Sequence, residues 1–327
     1  MLIRQNRKAL GGFLAAALLM LSPAAAPADE LVRLTLLASG TAGWEVDTIK
    51  QHHFDATHGV DVEAQAAAGK EAADIALLGG ATDVIVTDWI WVNRERAAGK
   101  KLTFMPFSRQ VGSIDVAAGS PIQDLAGLRG KKIGVAGGPL DKSWILIQAL
   151  AKRKFGLDLT KDAEPVYGAP PLISAKFKSG ELDAVLTFWQ FAAKLEAAGA
   201  RRIAGVADAS KELGLNPEVP LLGFVFKEDW AAAHPAAVAG LQAASRDAKT
   251  LLATSDAEWV RLRPIINPTN DAEMEQLKAG YRAGIPVAGP IDTKAASALL
   301  RVLSDIGGAE LVGDGRELQA GTFAVVP

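Results

Sequence analysis

The chain resembles itself at an interval of one hundred residues, and that periodicity restricts its architecture more than any other feature of the sequence. Asp83-Val-Ile-Val-Thr87-Asp88-Trp89 lies over Asp183-Ala-Val-Leu-Thr187-Phe188-Trp189. In the same register Gly80 falls on Gly180, Ala97-Ala98-Gly99 on Ala197-Ala198-Gly199, and Trp44 on Trp144. Chance supplies one such coincidence, but several without a gap point to two lobes built on one plan.

Each half alternates strand and helix. Residues 31–38, rich in Leu and Val, run into Ser39-Gly40-Thr41-Ala42-Gly43, after which Trp44, Ile49 and Phe54 mark a helix face. Residues 132–136 run likewise into Gly137-Gly138-Pro139, and Trp144, Ile145, Ile147 and Leu150 then mark a helix ending near Gly156. The short apolar runs 84–86 and 184–186 fit buried parallel strands. This alternation predicts an α/β protein with helices on both faces of its sheets. In such folds ligands sit beyond the carboxyl ends of strands, where helix N-termini present unpaired N–H groups. The segments to which this applies are 39–44, 87–89, 137–143, 168–171 and 187–189.

Composition removes several functions. At 327 residues the chain has room for one large or two medium domains. Its 35 basic and 37 acidic side chains leave no basic stripe to neutralise phosphates, so no nucleic-acid partner is expected. With no cysteine, thiol catalysis, Cys-ligated zinc, iron–sulfur clusters, disulfides and a lipid-modified N-terminal cysteine are excluded. The glycines at 137–138 lack the Gly-x-Gly-x-x-Gly order, and neither a P-loop nor a serine nucleophile elbow is present. No cofactor is expected. Arg4, Arg7 and Lys8, the apolar run 11–21 and Ala26-Pro27-Ala28 read as a cleaved signal peptide over residues 1–28, because the run is shorter than the ~20 residues of a membrane span.

Two further segments carry a family resemblance. They are Ile122-Gln-Asp124-Leu125-Ala-Gly127-Leu128-Arg-Gly130-Lys131-Lys132-Ile133-Gly134-Val135 and Phe177-Lys-Ser-Gly180-Glu181-Leu182-Asp183-Ala184-Val185. An exported two-lobed α/β chain with these motifs resembles the periplasmic solute-binding proteins of ABC importers. Within them it is similar to the nitrate, taurine and alkanesulfonate group, which also includes binders of thiamine-pyrimidine precursors. The resemblance implies a type 2 periplasmic binding protein, an α/β fold of two lobes joined by two crossing strands with a ligand cleft between. Crossings near residues 114–119 and 220–226 would assign 29–115 and 224–327 to lobe 1 and 116–223 to lobe 2. Trp230, Leu241, Leu251, Trp259 and Leu262 would lie on helices packed back on lobe 1. It also implies a periplasmic monomer without catalytic residues, with a small-molecule ligand and an ABC permease and ATPase in the inner membrane as partners. A sensor or a thiamine-pyrimidine-related enzyme on the same fold are the alternatives.

The turns then give a candidate ligand site: Thr41, Ala42, Trp44, Asp88, Trp89, Gly138, Pro139, Asp141, Lys142, Ser143, Phe188 and Trp189. Sulfonate binders of the group tend to place neutral donors at the helix start of lobe 2, where this chain has Asp141-Lys142-Ser143. Asp88 and Asp141, with Glu45 and Asp47 nearby, therefore favour a nitrogenous ligand, aromatic or cationic, over a sulfonate or other oxyanion. Lys142 and Arg109 are available to a negative group on the same ligand. His52, His53 and His58 do not share a helix face, so no metal is expected. Trp91 and Trp144 read as core, whereas Trp89 and Trp189 directly follow strands and are expected to flank the ligand as facing walls. On that expectation Trp89→Ala and Trp189→Ala each weaken binding about tenfold or more with the fold intact.

Overall fold

The computed structural model describes residues 29–325, so the signal-peptide reading of residues 1–28 lies outside the described residues. The first lobe opens with β1 (Glu30–Leu37), α1 (Ala42–Gln51), α2 (Phe54–Thr57), β2 (Val60–Ala67), α3 (Lys70–Gly79), β3 (Val84–Asp88), α4 (Trp89–Ala97) and β4 (Leu102–Ser108). The second contains β5 (Ser113–Val116), β6 (Lys132–Ala136), α5 (Lys142–Phe155), β7 (Glu164–Gly168), α6 (Pro170–Lys178), β8 (Ala184–Thr187), α7 (Trp189–Ala197), β9 (Arg201–Gly205) and α8 (Val206–Glu212). The chain then returns through β10 (Leu222–Lys227) to α9 (Glu228–Ala233), α10 (Pro235–Thr254), α11 (Asp256–Ile266), α12 (Asp271–Ala283) and α13 (Thr293–Val312).

The two five-stranded sheets have one order, β2-β1-β3-β10-β4 and β7-β6-β8-β5-β9. β3 runs parallel to β1 and antiparallel to β10, and β8 runs parallel to β6 and antiparallel to β5. The runs 84–86 and 184–186 are thus parallel on one side only. Apolar side chains on both faces of these strands follow from helices covering both sides of each sheet. The repeat has a structural cause at each mate. Asp83 accepts the Arg33 backbone N–H at 3.0 Å, and Asp183 accepts that of Lys132 at 2.8 Å, each clamping the start of one strand to its neighbour. Gly80 and Gly180 close the helices before β3 and β8 with φ of 77° and 80°, a left-handed conformation that favours glycine.

The crossings differ from the sequence expectation. β5 pairs with β8 and β9 from Ser113 to Val116, so the chain crosses at residues 109–112 and both Ile114 and Asp115 belong to the second sheet. β10 pairs with β3 and β4 from Leu222 onward, so the return crossing is complete before most of 220–226. A four-residue apolar strand reads the same whichever sheet receives it. Gly112 is required at the first crossing: a Cβ there would stand 2.0 Å from the Thr187 carbonyl oxygen.

The C-terminal helices also depart from expectation, because they span both lobes. Trp230 and Leu241 pack on the first sheet, but Trp259 and Leu262 share a cluster with Trp44 of the first lobe and Ala193 of the second. α12 lies on α7, and α13 lies on both α4 and α5. Leu251 is half-buried, and its neighbour Leu252 takes the core position. No helix among the described residues is long and apolar enough to cross a membrane.

Trp89 is not a cleft wall. It is 0% exposed, with its ring 5.4 Å from that of Phe323, which in turn packs edge-on against Phe104 of β4. Being first after a strand does not fix which way a side chain leaves the helix start, and here it leaves toward the core. Trp144 and Trp91 are buried as well. Trp89→Ala is therefore expected to lower the unfolding free energy by about 3–5 kcal/mol, read by denaturant titration, instead of weakening binding selectively.

Candidate functional site

Four helices start at the carboxyl ends of central strands, and their first turns differ in a way that locates the site. α4 and α5 are closed by their own carboxylates: Asp88 accepts the Trp91 N–H at 2.8 Å and Asp141 accepts that of Trp144 at 3.1 Å. α1 and α7 begin at Thr41 and Phe188 with no side-chain cap. These two starts meet across the lobes. Gln190 Nε2 donates to the Ser39 carbonyl oxygen at 3.0 Å, and Trp189 stands edge-on to Trp44 with ring centroids 6.0 Å apart.

A narrow cavity of about 10 Å³ lies at this junction, lined among others by Thr41, Phe107, Gln110, Trp189, Lys249 and Tyr281. Its polar floor is a buried ion pair. Glu45, 1% exposed, receives Lys249 Nζ at 2.6 and 2.7 Å, Ser245 Oγ at 2.5 Å and the Tyr281 hydroxyl at 2.7 Å. Lys249 also lies 4.1 Å from the Phe107 ring centroid. Burial lowers the Lys249 pKa while Glu45 opposes the shift; burial and then Glu45 push the Tyr281 phenol well up. Trp189 forms the wall from the second lobe. Gly280 of α12 makes room for it, since a Cβ there would stand 2.6 Å from the indole.

The sequence offers Glu45 only as one of the carboxylates favouring a nitrogenous ligand, and it does not point to Lys249, Ser245 or Tyr281. No motif carries them, because α1, α10 and α12 are brought together only by folding. One signal existed: Ser245 and Lys249 fall among Leu241, Ala244, Ala248 and Leu252, the apolar face of α10.

Thr41 and Trp189 line the cavity, and the other candidates lie elsewhere. Ala42 is in the apolar cluster of the first lobe, and Trp44 is buried behind Trp189, edge-on to Trp259 as well. Gly138 and Pro139 form the turn before α5, Ser143 is half-buried in its first turn, and Phe188 is half-buried at the start of α7. Asp88 and Lys142 pair with each other across the lobes at 2.9 Å. Asp47 is held by Arg261 at 2.6 Å. Arg109 donates to the carbonyls of Ile285 and Ala283 and pairs with Glu218, tying the two crossings together. His52 meets Glu258 and His58 meets Asp247; among the described residues no three potential metal ligands cluster. A larger open depression of about 320 Å³, beside Thr82, Lys227 and Trp230, lies where the first sheet's parallel strands begin, the wrong end for the cleft.

The two capping aspartates titrate in opposite directions. Burial works against the Asp88 carboxylate, but Lys142 and Lys70 hold it below the usual range. Asp141 is compensated only in part: burial pushes it up to about 6 in spite of the Trp144 N–H and Lys142. Its folded pKa thus exceeds the unfolded value of 3.8, so the native state takes up a proton between these values and loses stability as pH rises through that window. Asp141→Asn keeps the capping oxygen and removes the charge. It is expected to abolish that loss and to exceed the wild type in stability above the window, as measured by urea denaturation at about pH 4 and about pH 7.

Comparison with known proteins places this geometry. The family model described as NMT1/THI5 like matches residues 50–256, well over half of the chain. No curated protein matches by sequence. Among solved structures, the alkanesulfonate-binding protein SsuA from Xanthomonas axonopodis pv. citri bound to MOPS is similar with a TM-score of 0.71 at 21% identity, over 91% of this chain and 99% of that one. The periplasmic aliphatic sulphonate binding protein SsuA from Escherichia coli gives 0.68 at 19%, over 89% and 93%. The periplasmic nitrate-binding protein NrtA from Synechocystis PCC 6803 gives 0.53 at 16%, over 72% and 66%. The two-lobed α/β fold is thus shared with periplasmic binding proteins, and the chain belongs to the NMT1/THI5-like family.

Proposed function

We propose that the chain is the solute-binding component of an ABC importer, closing its lobes on a small organic anion that it delivers to a membrane permease and ATPase. The observation that carries this reading is the junction of the uncapped starts of α1 and α7, with Thr41 and Lys249 on one lobe and the Trp189 indole on the other. Unpaired N–H groups at the first turn of a helix favour negative charge, while the Lys249 ammonium beside them is balanced by Glu45. A flat indole wall suits the organic remainder of the ligand. Relatives of the same fold named for alkanesulfonates and nitrate are consistent with that charge.

The nitrogenous ligand, aromatic or cationic, that the sequence favours rests on carboxylates that are engaged within the protein. Glu45 is held by Lys249, Asp88 by Lys142, Asp47 by Arg261, and Asp141 caps its own helix. A cationic ligand would have to displace a protein cation from each paired one. Mutual engagement of Lys249, Glu45 and Tyr281 also favours binding over catalysis, since none is presented as a free base or nucleophile. The same reading takes the protein as a periplasmic monomer exported by residues 1–28.

Native mass spectrometry of protein purified without denaturation should show one co-purifying small anion, and calorimetry should give tighter binding of short alkanesulfonates than of amines or aminopyrimidines. Thr41→Val and Trp189→Ala should each weaken that binding about tenfold, with little change in melting temperature for Thr41→Val. Tighter binding of an amine than of any sulfonate would return the ligand to the nitrogenous class. Turnover of the ligand would point to an enzyme.

A further inference from the structure

The hundred-residue repeat allows one side of the cleft to be compared with the other. The mates of Asp88 and Lys142 are Phe188 and Ala42. An oppositely charged pair thus stands where the mates are apolar: Phe188 is half-buried at the start of α7 beside Trp189, and Ala42 is buried in the first lobe's apolar cluster. The charged pair is bridged by the protein itself.

That bridge is well defined. Asp88 ends β3 in the first lobe and Lys142 begins α5 in the second, with Oδ2 and Nζ 2.9 Å apart and their side chains only 8% and 19% exposed. The other Asp88 oxygen is fixed by the Trp91 N–H, so the carboxylate is oriented before the lobes meet. Around it stand Lys70, paired with Asp74 at 2.6 Å and 4.7 Å from the Trp91 ring centroid, and Asp141 at the cap of α5. Lys142 makes no second ion pair among the described residues.

We propose that Asp88 and Lys142 form a latch that holds the lobes shut without ligand, so that ligand binding draws on a closed form already populated. Opening about the crossings at residues 109–112 and before β10 separates the two charges along with the other interlobe contacts, Gln190 with Ser39 and Trp189 with Trp44 among them. A buried pair favours closure only if its attraction exceeds the loss of hydration. Lys142 and Lys70 hold the Asp88 carboxyl below its usual range in spite of burial, so the carboxylate is ionised where Lys142 meets it at 2.9 Å. The energy a ligand must supply to close the cleft is correspondingly smaller. The inference rests on the two-lobed hinge of the proposed function and not on the identity of the ligand.

The absence of cysteine allows a direct test on the full chain. Cysteines introduced at the exposed positions Glu71 and Pro171, one per lobe, accept spin labels, and the distance distribution is recorded on protein stripped of ligand. A dominant short distance is expected in the otherwise unchanged protein, with Lys142→Gln and Asp88→Asn each lowering the closed-to-open ratio roughly three- to tenfold. The double variant should lower it no further, and Lys142→Arg should restore it. Asp88→Asn retains the acceptor for Trp91, so it tests the latch without removing the helix cap. A ligand-free protein that is already open, or a distribution unmoved by Lys142→Gln, would overturn the latch and leave the binding reading untouched. Failure to bind any anion would overturn that reading alone.

Discussion

The fourth place in each sheet is filled by a strand that has just arrived from the other lobe, and the rest of the molecule depends on that exchange. β5 enters between β8 and β9 directly after β4, and β10 enters between β3 and β4 after the second lobe is complete. Without them β3 and β8 would lose their antiparallel ladders, and β4 and β9 would be detached from their sheets, leaving unpaired backbone groups in the interior. Neither lobe is whole alone. The same demand makes the crossings short, brings Gly112 against Thr187, and places Arg109 where it can tie both crossings and the end of α12.

A hinge of this kind makes the cleft a place where two similar surfaces meet, and their charge patterns are what differ. On one side the helix starts carry their own carboxylates, and Asp88 finds its counter-charge across the gap in Lys142. On the other side two helix starts are left uncapped beside a lysine already held by Glu45, with Trp189 as the facing wall. The first arrangement joins protein to protein. The second leaves donors available to something else.

The C-terminal helices set the depth of that second side. α10 supplies Ser245 and Lys249, and α12 supplies Tyr281 and the bare backbone of Gly280 on which Trp189 rests. α12 packs on α7 across the lobes, so the aromatic cluster of Trp44, Trp189, Trp259 and Tyr281 is a joint between lobes as well as a wall of the cavity.

The sequence by itself determined the architecture. Asp83 and Asp183, Gly80 and Gly180, and the paired apolar strands repeat because each sits in local backbone geometry that admits few alternatives, and such geometry is written in neighbouring residues. Tertiary structure alone decided which side of a helix start a tryptophan leaves, which sheet a four-residue strand joins, and which charges find one another. Trp89 went to the core and Trp189 to the cleft although they hold the same place in the repeat, because Phe323 waits for one and Gly280 for the other. Glu45 and Lys249 are more than two hundred residues apart in sequence, and no local pattern encodes a contact that exists only after α10 has folded back onto α1.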